Sequence, residues 1–431
     1  MELNTTTLEQ IAEITMGQSP DSMYLNHSEI GLPFLQGCAE FGRQHPVPTT
    51  FCDPPLRVAQ AHSILVSVRA PVGTLNWADQ RYCIGRGLAA IKGRVNIADT
   101  GFISFVLQND STFLHRRSQG STFLAIGGQD LAKFPVPSFS FQHQQKIAYI
   151  LQTIDQAIEK TEQLIEKYQQ IKAGLMHDLF TRGIGTDGKL RPTREQSPEL
   201  YQETPIGWIP KDWKVKTIDS LSAGYKGSTA IGPFGSDLVM TDYRNEGVPV
   251  VFVRDVKESG FKWVSDVYVS TEKAQSLNAH KVKPGDLLAT KMGLPPCVAC
   301  VYPSSMNDAI ITADMIKMTP NTSEVDVYWL ASALNNDRVR RQVAAITAGV
   351  TRPKITLADF RMLQIATPSL GEQRNIKKFI EAQEKLTELE LQRLIVLRNQ
   401  KSGLMHDLLT GKVPVSVDPL KAPLSLEQGA A

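Results

Sequence analysis

The run Gly174-Leu175-Met176-His177-Asp178-Leu179-Phe180-Thr181 returns 229 positions later as Gly403-Leu404-Met405-His406-Asp407-Leu408-Leu409-Thr410. An internal repeat on this scale constrains the architecture more than any single motif, because each copy must fold as one unit. Upstream in the same frame, Gln144 falls on Gln373 and Ile147 on Ile376. Further back, Gly120-Ser121-Thr122 aligns with Gly349-Val350-Thr351, Ile126 with Ile355 and Asp130 with Asp359, after a two-residue slip around Pro137 and Pro368. The fronts match loosely: Leu8–Ile14 resembles Ile218–Gly224 at an offset of 210, which makes the second front 19 residues longer. Gly31-Leu32-Pro33-Phe34 echoes Gly247-Val248-Pro249-Val250. A divergent front and a well-matched rear point to a variable task in front and a constant one behind.

The rear segments read as long helices. From His143 to Thr181 there is no proline, and the one glycine, Gly174, is near the end. Apolar side chains recur at heptad spacing as Ile147, Ile154, Tyr168 and Leu175, and as Ile150, Ala157, Leu164 and Ile171; Leu151, Ile158 and Ile165 widen the stripe. Asp155, Glu159, Glu162, Glu166 and Asp178 are balanced by Lys146, Lys160, Lys167, Lys172 and, just beyond, Arg182. A neutral helix is poorly suited to gripping phosphates, and at 1.5 Å per residue this one would run on the order of 60 Å. Its counterpart, Glu372–Thr410, has Gln383 and Glu390 on the first row but supplies Ile376, Phe379, Ile380, Leu386, Leu394, Leu397 and Leu404. Two such stripes in one chain most simply bury each other.

The predicted organisation is therefore a globular domain over 1–141, a long helix over 142–182, a Gly/Pro-rich linker over 183–206, a second domain over 207–371, a second long helix over 372–411 and a tail over 412–431. Short β-rich runs (Ser63–Val68, Val248–Val253) alternate with helical pieces near Ile103–Val106 and Val327–Leu334, so each front reads as α+β. Thr356-Leu357-Ala358-Asp359 has the spacing of a capping box.

Charge is unevenly spread on a chain of net charge +2. Residues 1–42 hold six acids and no Lys or Arg, whereas 43–133 hold ten bases against five acids. Arg338, Arg340, Arg341, Arg352 and Lys354 fall in one stretch without an acid. Local positive patches on a near-neutral chain suit a nucleic-acid reader inside a larger complex, and equally the solvated faces of any soluble protein. Five scattered cysteines fit a reducing, cytoplasmic setting. No apolar run approaches the roughly 18 residues of a membrane span, and no basic-then-apolar leader opens the chain.

Several motifs that invite chemistry are incomplete. Asp53-Pro54-Pro55-Leu56 is similar to the loop by which amino-methyltransferases hold a flipped base, but it lacks the stacking aromatic, and no glycine-rich cofactor turn precedes it. Cys297-Val298-Ala299-Cys300 has no second pair to complete a zinc site, and Asp286 with Lys291 lacks the second acid of a nuclease triad. His177-Asp178 and His406-Asp407 are adjacent on a helix and point apart, so packing or subunit docking suits them better than a shared ligand. Gly85-Arg86-Gly87 either brings a loop close to phosphate or forms a tight turn with a surface arginine. No metal, cofactor or catalytic residue is expected.

Val66-Ser67-Val68-Arg69-Ala70-Pro71-Val72-Gly73, followed by Cys83-Ile84-Gly85-Arg86-Gly87-Leu88-Ala89-Ala90-Ile91, resembles the specificity subunits of type I restriction–modification systems. Trp208-Ile209-Pro210-Lys211-Asp212-Trp213 and the two Gly-Leu-Met-His-Asp-Leu helix ends extend that resemblance over essentially the whole chain. The second front departs from it, with Asp286–Gly293 where the Arg-Ala-Pro segment would be. The resemblance implies an α+β chain of two target recognition domains separated by two long antiparallel helices that form a coiled coil, related by a pseudo-twofold repeat. It implies a non-catalytic subunit that binds double-stranded DNA, each domain reading half of a split asymmetric site. The helices would set the gap and dock two methyltransferase-bearing modification subunits, with separate restriction/translocase subunits and no membrane. Candidate DNA contacts are Arg43, Arg69, Arg86, Arg116, Arg117, Lys291, Arg338, Arg340, Arg341, Arg352 and Lys354; candidate docking residues are His177, Asp178, His406 and Asp407. The alternative is a helical scaffold with protein-binding domains and no DNA role.

Overall fold

The structure, a computed structural model, describes residues 4–110, 113–114, 125–349 and 351–417. It divides into two compact units, one of Met1–Leu164 with Glu390–Ala431 and one of Ile165–Leu389, so the division cuts both long helices in mid-course.

In the first unit, a four-stranded sheet has the order Ala12–Met16, Leu88–Gly93, Ile64–Ser67, Leu75–Trp77. A five-stranded sheet has the order Leu25–Asn26, Thr50–Cys52, Leu32–Leu35, Tyr82–Ile84, Val58–Ala59, with the Leu32–Leu35 and Tyr82–Ile84 strands parallel. The second unit repeats both. Its four-stranded order is Thr229–Ile231, Met315–Met318, Leu287–Thr290, Ala299–Val301. Its five-stranded order is Tyr243–Arg244, Tyr268–Val269, Val248–Val251, Ala309–Ile311, Lys281–Val282, again with the Val248–Val251 and Ala309–Ile311 strands parallel. The duplication thus extends through the fronts, where sequence similarity had faded. The extra length of the second front goes into connections: helix Thr271–Ser276 stands where the first unit has the loop Asp53–Arg57. That loop, carrying Asp53-Pro54-Pro55, joins two strands.

Helices Thr100–Asn109 and Val327–Leu334 are capped by Asp99 and Asp326, whose carboxylates accept backbone N–H groups of the first turn. The capping box Thr356–Asp359 opens the short helix Leu357–Met362.

The two long helices are Phe141–Thr181 and Leu370–Leu409. They run antiparallel in each unit. In the first unit, Lys401 reaches Asp155 (2.7 Å) and Arg398 reaches Glu162 (2.8 Å); in the second, Lys172 reaches Glu384 (2.7 Å) and the Gln383 amide donates to the Tyr168 carbonyl (3.2 Å). Residues 147, 151, 154, 158, 161, 165, 168, 172, 175 and 179 of the first helix are all buried or half-buried, at alternating spacings of four and three. Residues 376, 380, 383, 387, 390, 394, 397, 401, 404 and 408 form the matching seam on the second. The seam differs from the expected stripe. Ile150, Ala157 and Leu164 flank it, while Ile171, Phe379 and Leu386 are 44%, 46% and 48% exposed. Thr161 and Lys172 on one helix, and Gln383, Thr387, Glu390 and Lys401 on the other, hold seam positions that a search for apolar residues passes over.

The helix ends are buried. Leu179 and Phe180 lie in the main core of the second unit, with Trp213, Trp329 and Ile376. Met405, Leu408 and Leu409 lie in the main core of the first, with Phe102, Leu131 and Ile147. In the second unit, buried Glu372 holds the start of the linker. Its Oε1 accepts from the Ile184 amide (2.8 Å) and Arg191 (2.5 Å), and its Oε2 from Arg191 (2.9 Å) and the Trp213 indole (3.1 Å). Gly183, at φ +66°, passes so close that a Cβ there would fall 2.2 Å from Glu372 Oε1.

Candidate nucleic-acid interface

Three segments converge at one end of each four-stranded sheet, and backbone hydrogen bonds give their correspondence. In the first unit, the Val68 amide donates to the Gly87 carbonyl (2.9 Å), the Ile126 amide to the Val68 carbonyl (3.0 Å) and the Leu88 amide to the Gly85 carbonyl (3.0 Å). In the second, the Lys291 amide donates to the Asp314 carbonyl (2.7 Å), the Ile355 amide to the Lys291 carbonyl (3.1 Å) and the Met315 amide to the Thr312 carbonyl (2.9 Å). Lys291 therefore stands where the first unit has Val68, and Thr312-Ala313-Asp314 replaces Gly85-Arg86-Gly87. The bridge Met292↔Lys354 repeats Arg69↔Ala125, and both hairpin loops contain a cis proline peptide, Ala70–Pro71 and Leu294–Pro295. The second front, which departs from the Arg-Ala-Pro pattern over Asp286–Gly293, thus still carries a proline in the same hairpin loop.

The frame is shared and its furnishing is not. In the first unit, Arg69 and Arg86 are exposed at this edge. The glycines beside Arg86 are accounted for by internal packing: a Cβ on Gly85 would meet Gln36 Oε1 at 2.7 Å, and one on Gly87 the Gln36 carbonyl at 2.6 Å. The Gly85-Arg86-Gly87 turn is a tight turn held against the Gln36 segment, with the arginine projecting. In the second unit, Lys291, Arg352 and Lys354 come together through the bridge to Met292 and the hydrogen bond from the Gly293 amide to Pro353 (3.2 Å). Lys291 Nζ sits 4.4 Å from the centre of the Phe234 ring and donates to the Ala313 carbonyl (3.4 Å), whereas Arg352 and Lys354 are exposed.

The other candidates lie elsewhere. Arg43 pairs with Glu162 of the first long helix, which also takes Arg398; the Arg398 hydrogen bond is the main cause that holds the Glu162 carboxyl below its ordinary range. On helix Asp337–Ile346, Arg338 donates to the Trp208 carbonyl (2.8 Å), and burial, with Arg341 beside it, draws its pKa down. Arg340 is held by Glu258 and by the Asn335 carbonyl (2.8 Å), and Arg341 is exposed. Arg116 and Arg117 lie outside the described residues. His177 and His406 are exposed at the helix ends, with Asp178 paired to Arg182 (3.3 Å) and Asp407 to Lys412 (4.0 Å).

Sequence reasoning missed a cleft of about 820 Å³ in the second unit, beside Lys291. Arg254, Lys257, Thr290, Leu294 and Asp314 line it. The loop that carries Arg254 is built around Asp255, which is fully buried and accepts from the amides of Phe252 (2.9 Å), Val264 (3.0 Å) and Ser265 (2.9 Å) and from the Ser265 hydroxyl (2.6 Å). The only sequence signal was an acid between two bases in Arg254-Asp255-Val256-Lys257, which is common on any surface. Cys297 and Cys300 are buried free thiols, each pushed up to about 12 by desolvation. Among the described residues, no His, Cys, Asp and Glu cluster is placed to hold a metal. None of the described helices is long and apolar enough to cross a membrane.

Known proteins share this fold. A chain described as the S subunit of a type I restriction–modification system from M. genitalium matches 94% of this chain and 96% of its own, with a TM-score of 0.56 at 15% identity. A chain solved in work on complex assembly and conformational transition of the type I R-M system matches with a TM-score of 0.59 at 14% identity, over 96% and 98% of the two chains. These likenesses establish the fold. In sequence, the putative MjaX specificity subunit of a type I restriction enzyme from Methanocaldococcus jannaschii is 39% identical over 176 residues, a match spanning 41% of each chain. The MjaVIII specificity subunit from the same organism is 19% identical over 76% of this chain and 73% of its own. The model of the type I restriction modification DNA specificity domain matches residues 3–170 and 297–399, and the chain belongs to that family.

Proposed function

We propose that this chain is the sequence-reading subunit of a type I restriction–modification complex, with no catalytic step of its own. It binds double-stranded DNA. Each domain reads one half of a split asymmetric site, and the paired helices set the gap between the halves. The helices also dock two modification subunits, for which exposed His177 and His406, beside Asp178 and Asp407, are the candidate contacts; restriction/translocase subunits complete the cytoplasmic complex. The observation that carries this reading is the presence of two domains of one topology with different side chains at the same sheet edge. Identical edges would suit a symmetric target, and unlike ones an asymmetric target. Basic residues at the edges suit phosphate contacts, which position a reader, while side chains reaching base edges specify.

The test is a methylome of cells that carry the chain together with the modification subunit of its own system. Methylation of a two-part asymmetric motif with an unread interior is expected. A single continuous motif, or no motif attributable to the chain, would overturn the reading. Purified chain with S-adenosylmethionine alone should methylate nothing.

A further inference from the structure

At the turn where the first unit projects Arg86, the second presents Ala313 and Asp314, and the cationic groups move to neighbouring segments. Arg254 and Lys257 are exposed at the cleft, and Lys291 is half-buried beside it. The Arg254 guanidinium lies 4.6 Å from the Phe252 ring centre and its Nε donates to Ser265 Oγ (2.8 Å), so it is oriented by its own domain. Leu294 is 84% exposed. Of the acids that line the cleft, Glu258 is paired with Arg340, and Asp314 lies in the turn that corresponds to Gly85-Arg86-Gly87, at the position of Gly87. The cleft therefore combines the oriented donor Arg254, a second cation in Lys257, the carboxylate of Asp314 and an uncovered apolar side chain. Those are the three kinds of group that distinguish base-pair edges: arginine or lysine for guanine, a carboxylate for the cytosine amino group, and apolar contact for the thymine methyl.

Resting on the proposed function above, we infer that the second domain reads its bases in this cleft, through Arg254, Lys257, Leu294 and Asp314, while the first reads through Arg86 at the equivalent turn. Where the first unit has Arg86-Gly87 the second has Ala313-Asp314, so the turn loses its donor at one position and gains an acceptor at the next. A domain furnished this way must prefer a different half-site from its partner even though the backbone frame is the same. The buried Asp255 hub serves this by fixing the Arg254 loop before DNA arrives, so less ordering cost falls on binding.

The inference is tested on the full chain with its modification subunit, by comparing methylomes of the unaltered chain with those of Arg254→Ala, Asp314→Asn and, separately, Arg86→Ala. Arg254 is exposed and Asp314→Asn keeps shape, and a melting temperature within a few degrees of the unaltered protein identifies folded variants. Arg254→Ala and Asp314→Asn should relax preference about 10-fold or more at positions in one half of the motif and leave the other half intact. Arg86→Ala should relax the opposite half. If the unaltered chain gives a split motif but Arg254→Ala and Asp314→Asn retain it at full preference, the cleft does not read bases. Relaxation of the same half by all three variants overturns the assignment as well. No split motif from the unaltered chain overturns the functional reading itself, and this inference with it.

Discussion

Gln373 holds the backbone around Asp326 with the same three hydrogen bonds by which Gln144 holds that around Asp99. The Gln144 amide accepts from the Asp99 N–H (3.0 Å) and donates to the carbonyls of Ile97 (3.2 Å) and Phe139 (2.9 Å). Gln373 accepts from Asp326 N–H (2.8 Å) and donates to Glu324 (3.1 Å) and Pro368 (3.0 Å). Both side chains are buried, so each clamps the base of a long helix to the cap of a domain helix. Replacing Gln373 with Leu leaves one donor and two acceptors unpaired, at about 1–3 kcal/mol for each group left buried. A loss of about 3 kcal/mol in urea unfolding is expected, and a change under about 0.5 kcal/mol would show that the clamp is dispensable.

Glu372 and Arg191 form a second fastening, 8% and 12% exposed. Removing one partner of a buried pair costs about 3–5 kcal/mol when the other charge is left alone; here Arg191 would keep the exposed carboxylate of Asp212 (2.6 Å), which lowers that cost. Glu372→Ala should destabilise the second unit by about 3 kcal/mol or more, because the Ile184 amide and the Trp213 indole lose their acceptor as well. An Arg191→Met, Glu372→Gln double variant, which keeps an acceptor for those two donors, should recover part of it. A double variant no more stable than Glu372→Ala would refute the pairing as the cause.

The Arg398 hydrogen bond keeps Glu162 ionised below its ordinary pKa of 4.5. A carboxyl depressed in the folded state adds stability that is complete above the unfolded value and is lost as pH falls through the folded one. Glu162→Gln should therefore be less stable than the unaltered protein at pH 7, and the gap should close as pH falls below the ordinary carboxylate range and through the lowered value of the folded state. Denaturant midpoints at pH 7 and below that range check this, and a gap independent of pH would rule out the charge as its source.

Phosphate contacts should show in the salt dependence of DNA binding by the assembled complex. Arg352 and Lys354 are exposed and lie beside Lys291, whereas Arg340 is tied to Glu258. Arg352→Glu with Lys354→Glu should flatten the slope of log affinity against log salt by about two, and Arg340→Ala should leave it nearly unchanged. Equal slopes in all three proteins would make these residues bystanders.

If the helices set the unread gap, inserting four residues in mid-helix, close to one turn of 3.6, lengthens the first helix by about 6 Å. At about 3.4 Å per base pair, the gap should widen by one or two base pairs with both half-sites unchanged. Inserting two residues would rotate the remainder of the helix by about 200° and abolish function. An unchanged gap with full methylation would remove the helices from this role.

The repeat, the long helices and the domain pieces around Thr100–Asn109 and Val327–Leu334 were legible because each rests on local pattern. The seam was half legible: Ile147, Ile154 and Leu175 announce it, but Thr161, Lys172 and Gln383 occupy it through the stems and hydrogen bonds of polar side chains. Arg69 and Arg86 could be singled out from a Pro- and Gly-marked context. Arg254, Leu294 and Asp314 could not, because they meet only through sheet order, and Asp255 carries no mark in sequence of the four donors it gathers. Arg340 looked free in an acid-poor run, yet Glu258, 82 positions away, is its partner.

The burial of Met405, Leu408 and Leu409 in the first unit has a consequence for biosynthesis. Domains usually mature in the order in which they leave the ribosome. Here the second unit, Ile165–Leu389, is one uninterrupted stretch, whereas the first waits for residues after Glu390. At about 5–20 residues per second, the interval between emergence of Leu164 and Leu409 is on the order of 10–50 s. Throughout that time the apolar floor around Phe102 and Ile147 lacks its last wall, so the portion made first is the portion finished last.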